Sequence, residues 1–168
     1  MTHLLSSKFT TGFACWLLLL SAGYAQPPDT QELQLLLFQG EQLRIAGRYE
    51  DAENRLTQAL ALAEKNGIDR SVSLARGALG YIYLMQHRYG DAEPLLREAY
   101  RASNDNAWAE LAAAQANYLG IFYQSELREA QAEQFYLASI RWAEQASQVL
   151  QALQARLNLP QLFIQHGQ

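Results

Sequence analysis

Cysteine is nearly missing from this chain of 168 residues: the single one, Cys15, lies inside an apolar run near the start. No disulfide can form within the chain, and beyond residue 25 there is no thiolate chemistry at all. Histidine is scarce as well. His87 and His166 are the only ones beyond residue 25, and neither has a second histidine or an acid at metal-ligand spacing, so both read as turn and tail residues. Ser71, Ser73, Ser103, Ser125, Ser139 and Ser147 stand beside no base that would make one a nucleophile. No Gly-x-Gly-x-x-Gly and no Lys-Ser/Thr loop follows a strand, so a phosphate cradle is excluded. The sequence leads us to expect no catalysis and no cofactor or metal.

An alternating strand pattern of useful length is also lacking, and no apolar run is long enough to cross a bilayer, which needs about 20 residues. The longest, Gly12 to Leu20, follows Lys8 and precedes Ala22-Gly23-Tyr24-Ala25, small residues suited to cleavage before Gln26. Residues 1–25 therefore read as a signal peptide, and the expected location is secreted or periplasmic. Cys15 sits near the start of the run, not just after it where a lipid-attachment cysteine would lie. Lys8 is the only charge among residues 1–25, so the rest carries 12 basic and 17 acidic residues, a formal charge of −5. Without a basic stripe, nucleic acid is not an expected partner.

What is present is a period of forty. Gly40, Gly80 and Gly120 are each followed twelve residues later by an Ala-Glu pair: Ala52-Glu53, Ala92-Glu93 and Ala132-Glu133. Apolar stripes recur in the same register. Ala52, Leu56, Ala59, Leu60 and Ala63 fall at i, i+4, i+7, i+8 and i+11, one face of a helix. Ala92, Leu96, Ala99, Tyr100 and Ser103 repeat it, as do Ala132, Tyr136, Ser139, Ile140 and Ala143. Helix-ending residues fall between the stripes at Ala46-Gly47-Arg48, Asn66-Gly67-Ile68-Asp69, Gln86-His87-Arg88 and Ser103-Asn104-Asp105-Asn106. The pattern predicts helix, short turn, helix, slightly longer turn, three times over. Residues 26–32 are expected to be a tether, 33–72, 73–112 and 113–152 three units, and 153–168 a partial fourth unit or capping helix. The repeated Glu53, Glu93 and Glu133 read as acids in the first turns of the second helices, where they suit the helix dipole.

These units resemble the tetratricopeptide repeat. The second carries Leu79-Gly80, Tyr83, Tyr89, Ala92, Leu96 and Ala99 at the family's positions. The first has Gly40, Leu43, Gly47, Tyr49, Ala52, Leu56 and Ala59, with Gln39 in place of the preferred leucine. The third keeps Leu119-Gly120, Tyr123, Ala132 and Tyr136 but has Leu127 and Glu129 where the turn glycine and tyrosine would stand. The forty-residue length, with Asp69-Arg70 and Asn104-Asp105 between units, is similar to arrays that precede CHAT domains in bacterial proteins and to arrays of signalling scaffolds. The resemblance implies an all-α fold, a right-handed solenoid of antiparallel helix pairs.

It also implies a concave groove lined by the first helices, which binds a peptide or a partner helix without catalysis. The inward positions map to Glu41 and Arg44, to Tyr81, Leu84 and Met85, and to Asn117, Tyr118, Ile121 and Gln124. Tyr81, Leu84, Met85 and Ile121 offer an apolar strip with hydrogen-bonding edges. The family's lysine-based hold on a terminal carboxylate is not expected, because lysine is missing at the matching positions. Pro160 stands where a Leu-Gly glycine belongs and is expected to kink the last helix. That helix is rich in apolar residues, and Leu159, Leu162 and Phe163 form a candidate assembly interface. Two other readings follow: a scaffold that self-associates into a homo-oligomer through this helix, and the regulatory arm of a larger CHAT-type protease.

Overall fold

The computed structural model describes the backbone of residues 28–164 and the side chains of residues 29–159. The leader expected over residues 1–25, and the side chains of Leu162 and Phe163, lie outside the described residues. Contacts divide the chain after Glu32. Of the first part, only residues 28–32 are described, as the opening of a helix.

Seven helices and no strand occur among the described residues: α1 (Pro28–Ile45), α2 (Tyr49–Lys65), α3 (Asp69–Met85), α4 (Tyr89–Asp105), α5 (Ala109–Ser125), α6 (Glu129–Gln145) and α7 (Val149–Ile164). Residues 28–32, expected in the tether, are thus helical. The fold is the all-α solenoid of helix pairs that the repeats imply. The last helix runs through Pro160 to Ile164.

Turn chemistry is more regular than the sequence suggests. All six turns have three residues, and the middle residue of each has positive φ: Gly47, Gly67, His87, Ala107, Leu127 and Ser147. The residue after it bonds back across the helix end, as from the Arg48 amide to the Leu43 carbonyl (2.9 Å) and from the Arg128 amide to the Tyr123 carbonyl (2.8 Å). The middle residue bonds three back, from Gly47 to Arg44 and from Leu127 to Gln124. This pair of bonds closes the carbonyl end of each helix, and the left-handed residue is what turns the chain. The alternation of short and longer turns is therefore corrected to a uniform spacing of twenty, with helix α4 continuing to Asp105. The third unit has its turn after all, with Leu127 forced to φ 58°.

A side chain at that φ is strained by roughly 1–2 kcal/mol, and Leu127 is 70% exposed, so it returns little packing energy. Leu127→Gly should stabilise the fold by about 0.5–1 kcal/mol, because the relieved strain exceeds the chain entropy that glycine adds to the unfolded state. A urea midpoint that stays level or falls would refute it.

Packing follows the stripes. Ala52, Leu56, Ala59 and Ala63 of α2, Ala92, Leu96, Ala99 and Ser103 of α4, and Ala132, Tyr136, Ser139 and Ala143 of α6 are all buried. Opposite them the first helices provide glycine. A Cβ on Gly40 would lie 2.6 Å from Leu56, and one on Gly80 would lie 2.8 Å from Leu96. A Cβ on Gly120 would meet three ring atoms of Tyr136 within 3.0 Å. Each pair therefore closes as a large side chain laid on bare backbone. Small hydroxyls fasten the same pairs elsewhere: Ser73 Oγ donates to the Ala99 carbonyl at 3.0 Å, and Ser139 Oγ to that of Ala113 at 2.8 Å. The bond is the same in both units, but the hydroxyl has moved to the other helix.

Candidate protein-docking face

First helices α1, α3 and α5 carry most of the residues expected to meet a partner. Glu41 and Arg44, one turn apart on α1, form a two-point pair: Nε to Oε2 at 2.8 Å and a terminal nitrogen to Oε1 at 2.6 Å. The guanidinium lies 4.9 Å from the centre of the Tyr81 ring on α3. Tyr81 in turn tilts against Tyr118 of α5, with centroids 4.6 Å apart. Four side chains from three units thus form one row, Glu41–Arg44–Tyr81–Tyr118.

The electrostatics of the row are self-contained. Glu41 holds Arg44 protonated well above the usual guanidinium range, against the opposing effect of burial. Burial pushes the Tyr81 and Tyr118 phenols up, while Arg44 pulls both back. At neutral pH both tyrosines are uncharged hydrogen-bonding groups set beside a fixed cation.

Other expected groove residues are placed differently. Leu84 is 2% exposed and belongs to the core with Ala92, Leu96 and Leu119, so its expected place in the groove is corrected. The turn at 86–88 folds α4 back over it. Met85 and Ile121 are half-buried against the same cluster. Gln124 accepts the Tyr136 hydroxyl bond at 2.6 Å, and Asn117 accepts one at 3.0 Å from Asn158 of α7. Both polar residues therefore tie neighbouring helices together.

The expected assembly interface also changes. Leu159 is half-buried against the core cluster, so it is not an open apolar residue. Among the described residues of α7, Val149, Leu150, Leu153 and Leu157 are exposed, while Ala152, Ala155 and Asn158 are buried. Arg156 and Glu144 pair across α6 and α7.

A second periodic feature was misread from the sequence. Glu53 is the fifth residue of α2, past the first turn, where Glu50 and Asp51 stand. Its carboxylate accepts the Tyr83 hydroxyl at 3.0 Å and meets Arg88 at 3.3 Å, and the Arg88 guanidinium covers the Tyr83 ring at 4.0 Å. Forty residues on, Glu93 accepts from Tyr123 at 3.3 Å and approaches Arg128 at 4.0 Å, with Arg128 over the Tyr123 ring at 4.6 Å. The glutamates are latches between consecutive units. The shared offset of Glu53, Tyr83 and Arg88 with Glu93, Tyr123 and Arg128 was visible in the sequence, but only a fold brings residues thirty and thirty-five apart together. Each pair is largely solvated and contributes little by itself, about 0–1 kcal/mol, so the latch sets register more than stability.

Among the described residues no group of three potential ligands could hold a metal ion, and no helix is long and apolar enough to cross a membrane.

Comparison with known proteins agrees with this geometry. The tetratricopeptide repeat family model matches residues 31–105. None of the curated proteins matches the sequence. The crystal structure of BtubC (BKLC) from P. vanneervenii superposes with a TM-score of 0.61 at 14% identity, over 91% of this chain and 67% of that one. At that identity the likeness is one of fold. Repeats of this family serve in protein–protein interaction and are generally not catalytic. The turns at twenty-residue intervals continue beyond the matched segment in the same register, where Gly120 closes on Tyr136 as Gly40 and Gly80 close on leucines, and the chain carries repeats of the tetratricopeptide type, matched by the family model over residues 31–105.

Proposed function

We propose that the chain is a non-catalytic docking module that holds a peptide or partner helix along the face of its first helices. The observation that carries this reading is the Glu41–Arg44–Tyr81–Tyr118 row, which crosses three units and stays partly open to solvent. Aromatic rings and a held guanidinium are the side chains that give up most binding energy when buried by a partner. Their rigidity lowers the ordering cost of binding. The leader-like residues 1–25 support a place outside the cytoplasm for this activity.

Peptides selected from a random library on the immobilised protein provide the test. Tyr81→Ala should weaken their binding at least about tenfold, whereas Arg101→Glu on exposed α4 should leave it unchanged. Ligands indifferent to Tyr81→Ala and lost with Arg101→Glu would place docking elsewhere.

A further inference from the structure

First helices use one line of positions to meet the helices that follow them. On α3, Arg70 reaches Glu110 of α5 at 3.3 Å, Ser73 donates to the Ala99 carbonyl of α4 at 3.0 Å, and a Cβ on Gly77 would lie 3.0 Å from Gln115 of α5. On α5, the Ala113 carbonyl takes the Ser139 hydroxyl of α6, and Asn117 takes the Asn158 amide of α7. Small or polar side chains mark this line because the next helix lies close.

On α7 the line changes character. Forty residues after Glu110, Ala113 and Asn117 stand Leu150, Leu153 and Leu157, with Val149 beside them. All four are at least half exposed. A leucine in the place of Ser73 or Ala113 fills the space in which α4 and α6 make their bonds, so a second helix of the repeat type does not seat here at the same distance. The end of a helical array ordinarily carries a polar outer face, and this one is apolar. Leu150, Leu153 and Leu157 fall at i, i+3 and i+7, the narrow seam through which one helix pairs with another in a coiled coil.

Charge selects the occupant. Arg156 is the only charged side chain among the described residues of α7, and Glu144 of α6 already holds it. An acidic or basic partner would find no free charge of opposite sign on this helix, whereas two copies of the seam would bury no unmatched charge. The seam is also its own complement. Turned about a two-fold axis at its centre, Leu150 of one copy meets Leu157 of the other, and Leu153 lies beside the axis.

We propose that α7 pairs antiparallel with α7 of a second copy through Leu150, Leu153 and Leu157, giving a closed dimer. This seam replaces the interface expected at Leu159, and it stands or falls independently of the Tyr81 row.

Light scattering of the purified full chain from about 1 to 100 μM should show a mass that rises from one chain to two and no further. Leu153→Asp, at an exposed position, should weaken self-association by at least about a hundredfold, since two carboxylates would face each other at the axis. Its helical circular dichroism should be unchanged. Leu153→Arg should also be monomeric, and the Asp and Arg proteins, once mixed, should form a heterodimer, which requires that residue 153 of one copy face residue 153 of the other. Phe38→Asp, which removes an exposed apolar residue from α1, should change nothing. A chain that stays monomeric throughout would overturn the proposal and leave the seam to a partner of another kind. So would a mass that climbs past two chains, a dimer lost with Phe38→Asp, or a mixture of the two charged variants that fails to pair.

Discussion

Gly120→Ala should destabilise the protein by about 2–3 kcal/mol, the upper part of the range for overpacking a closed core. The added Cβ would fall within 3.0 Å of three atoms of the Tyr136 ring. That ring is fully buried and its hydroxyl is fixed on Gln124, so it has nowhere to go. Either the helices part or the ring leaves its rotamer, and both lose contacts along α5 and α6. The gain in helix propensity from glycine to alanine offsets at most about 1 kcal/mol. Gly90→Ala is the control: it is also helical, a Cβ there would meet nothing within 4 Å, and the change should be neutral or stabilising. A double-mutant cycle identifies the mechanism. Tyr136→Ala alone should cost about 3–5 kcal/mol, and Gly120→Ala in that background should cost at least about 1 kcal/mol less than in the original protein. Strict additivity in urea denaturation would mean that the ring is not what excludes the methyl group.

Alkaline pH should unfold this protein through its tyrosines, and Tyr136 should contribute most. Burial raises the Tyr136 phenol far above its ordinary value. In the unfolded chain the same phenol ionises near pH 10. Between those two pKa values the unfolded state binds fewer protons than the folded one, so stability falls as pH rises. The stabilisation is whole below pH 10 and declines above it by up to about 1.4 kcal/mol per pH unit. Tyr81, Tyr83 and Tyr118 are shifted the same way, by burial first, and add to the slope. Tyr136→Phe isolates the buried phenol. It should cost about 1 kcal/mol at pH 7, where the bond to Gln124 is lost. By pH 12 that variant should be the more stable of the two. Parallel stability curves for the two proteins from pH 7 to 12 would sink the assignment.

How far the fold was legible depended on which residues carried the signal. Gly40, Gly80 and Gly120 with their alanine stripes are packing residues. Close approach of two helices leaves almost no alternative side chain, so the pattern survives in the sequence as a strict period. The turns were legible only where the left-handed residue is glycine, at 47 and 67. His87, Ala107, Leu127 and Ser147 adopt the same φ under strain, because two helices already packed on both sides fix where the chain must reverse. Leu84 was misplaced for a related reason. Helical spacing puts it close to Tyr81 and Met85, but α4 folds back on that edge of α3, and no local pattern records which edge is covered.

The sequence alone determined the unit length, the all-α class and the likeness to the tetratricopeptide repeat. These depend on repeated short-range choices that each unit makes in the same way. Beyond residue 25 it supplies no cysteine, so no thiol of the chain can act there. Only the tertiary structure decided which polar residues act within the fold and which face outward. Glu53 and Glu93 became latches, Asn117 and Gln124 ties between helices, and Arg44 a cation held by Glu41 over Tyr81. A polar side chain has several partners within reach on a helix, and its role is fixed by which neighbouring helix arrives. That neighbour lies twelve to forty-one residues away in the chain, beyond what local spacing can specify.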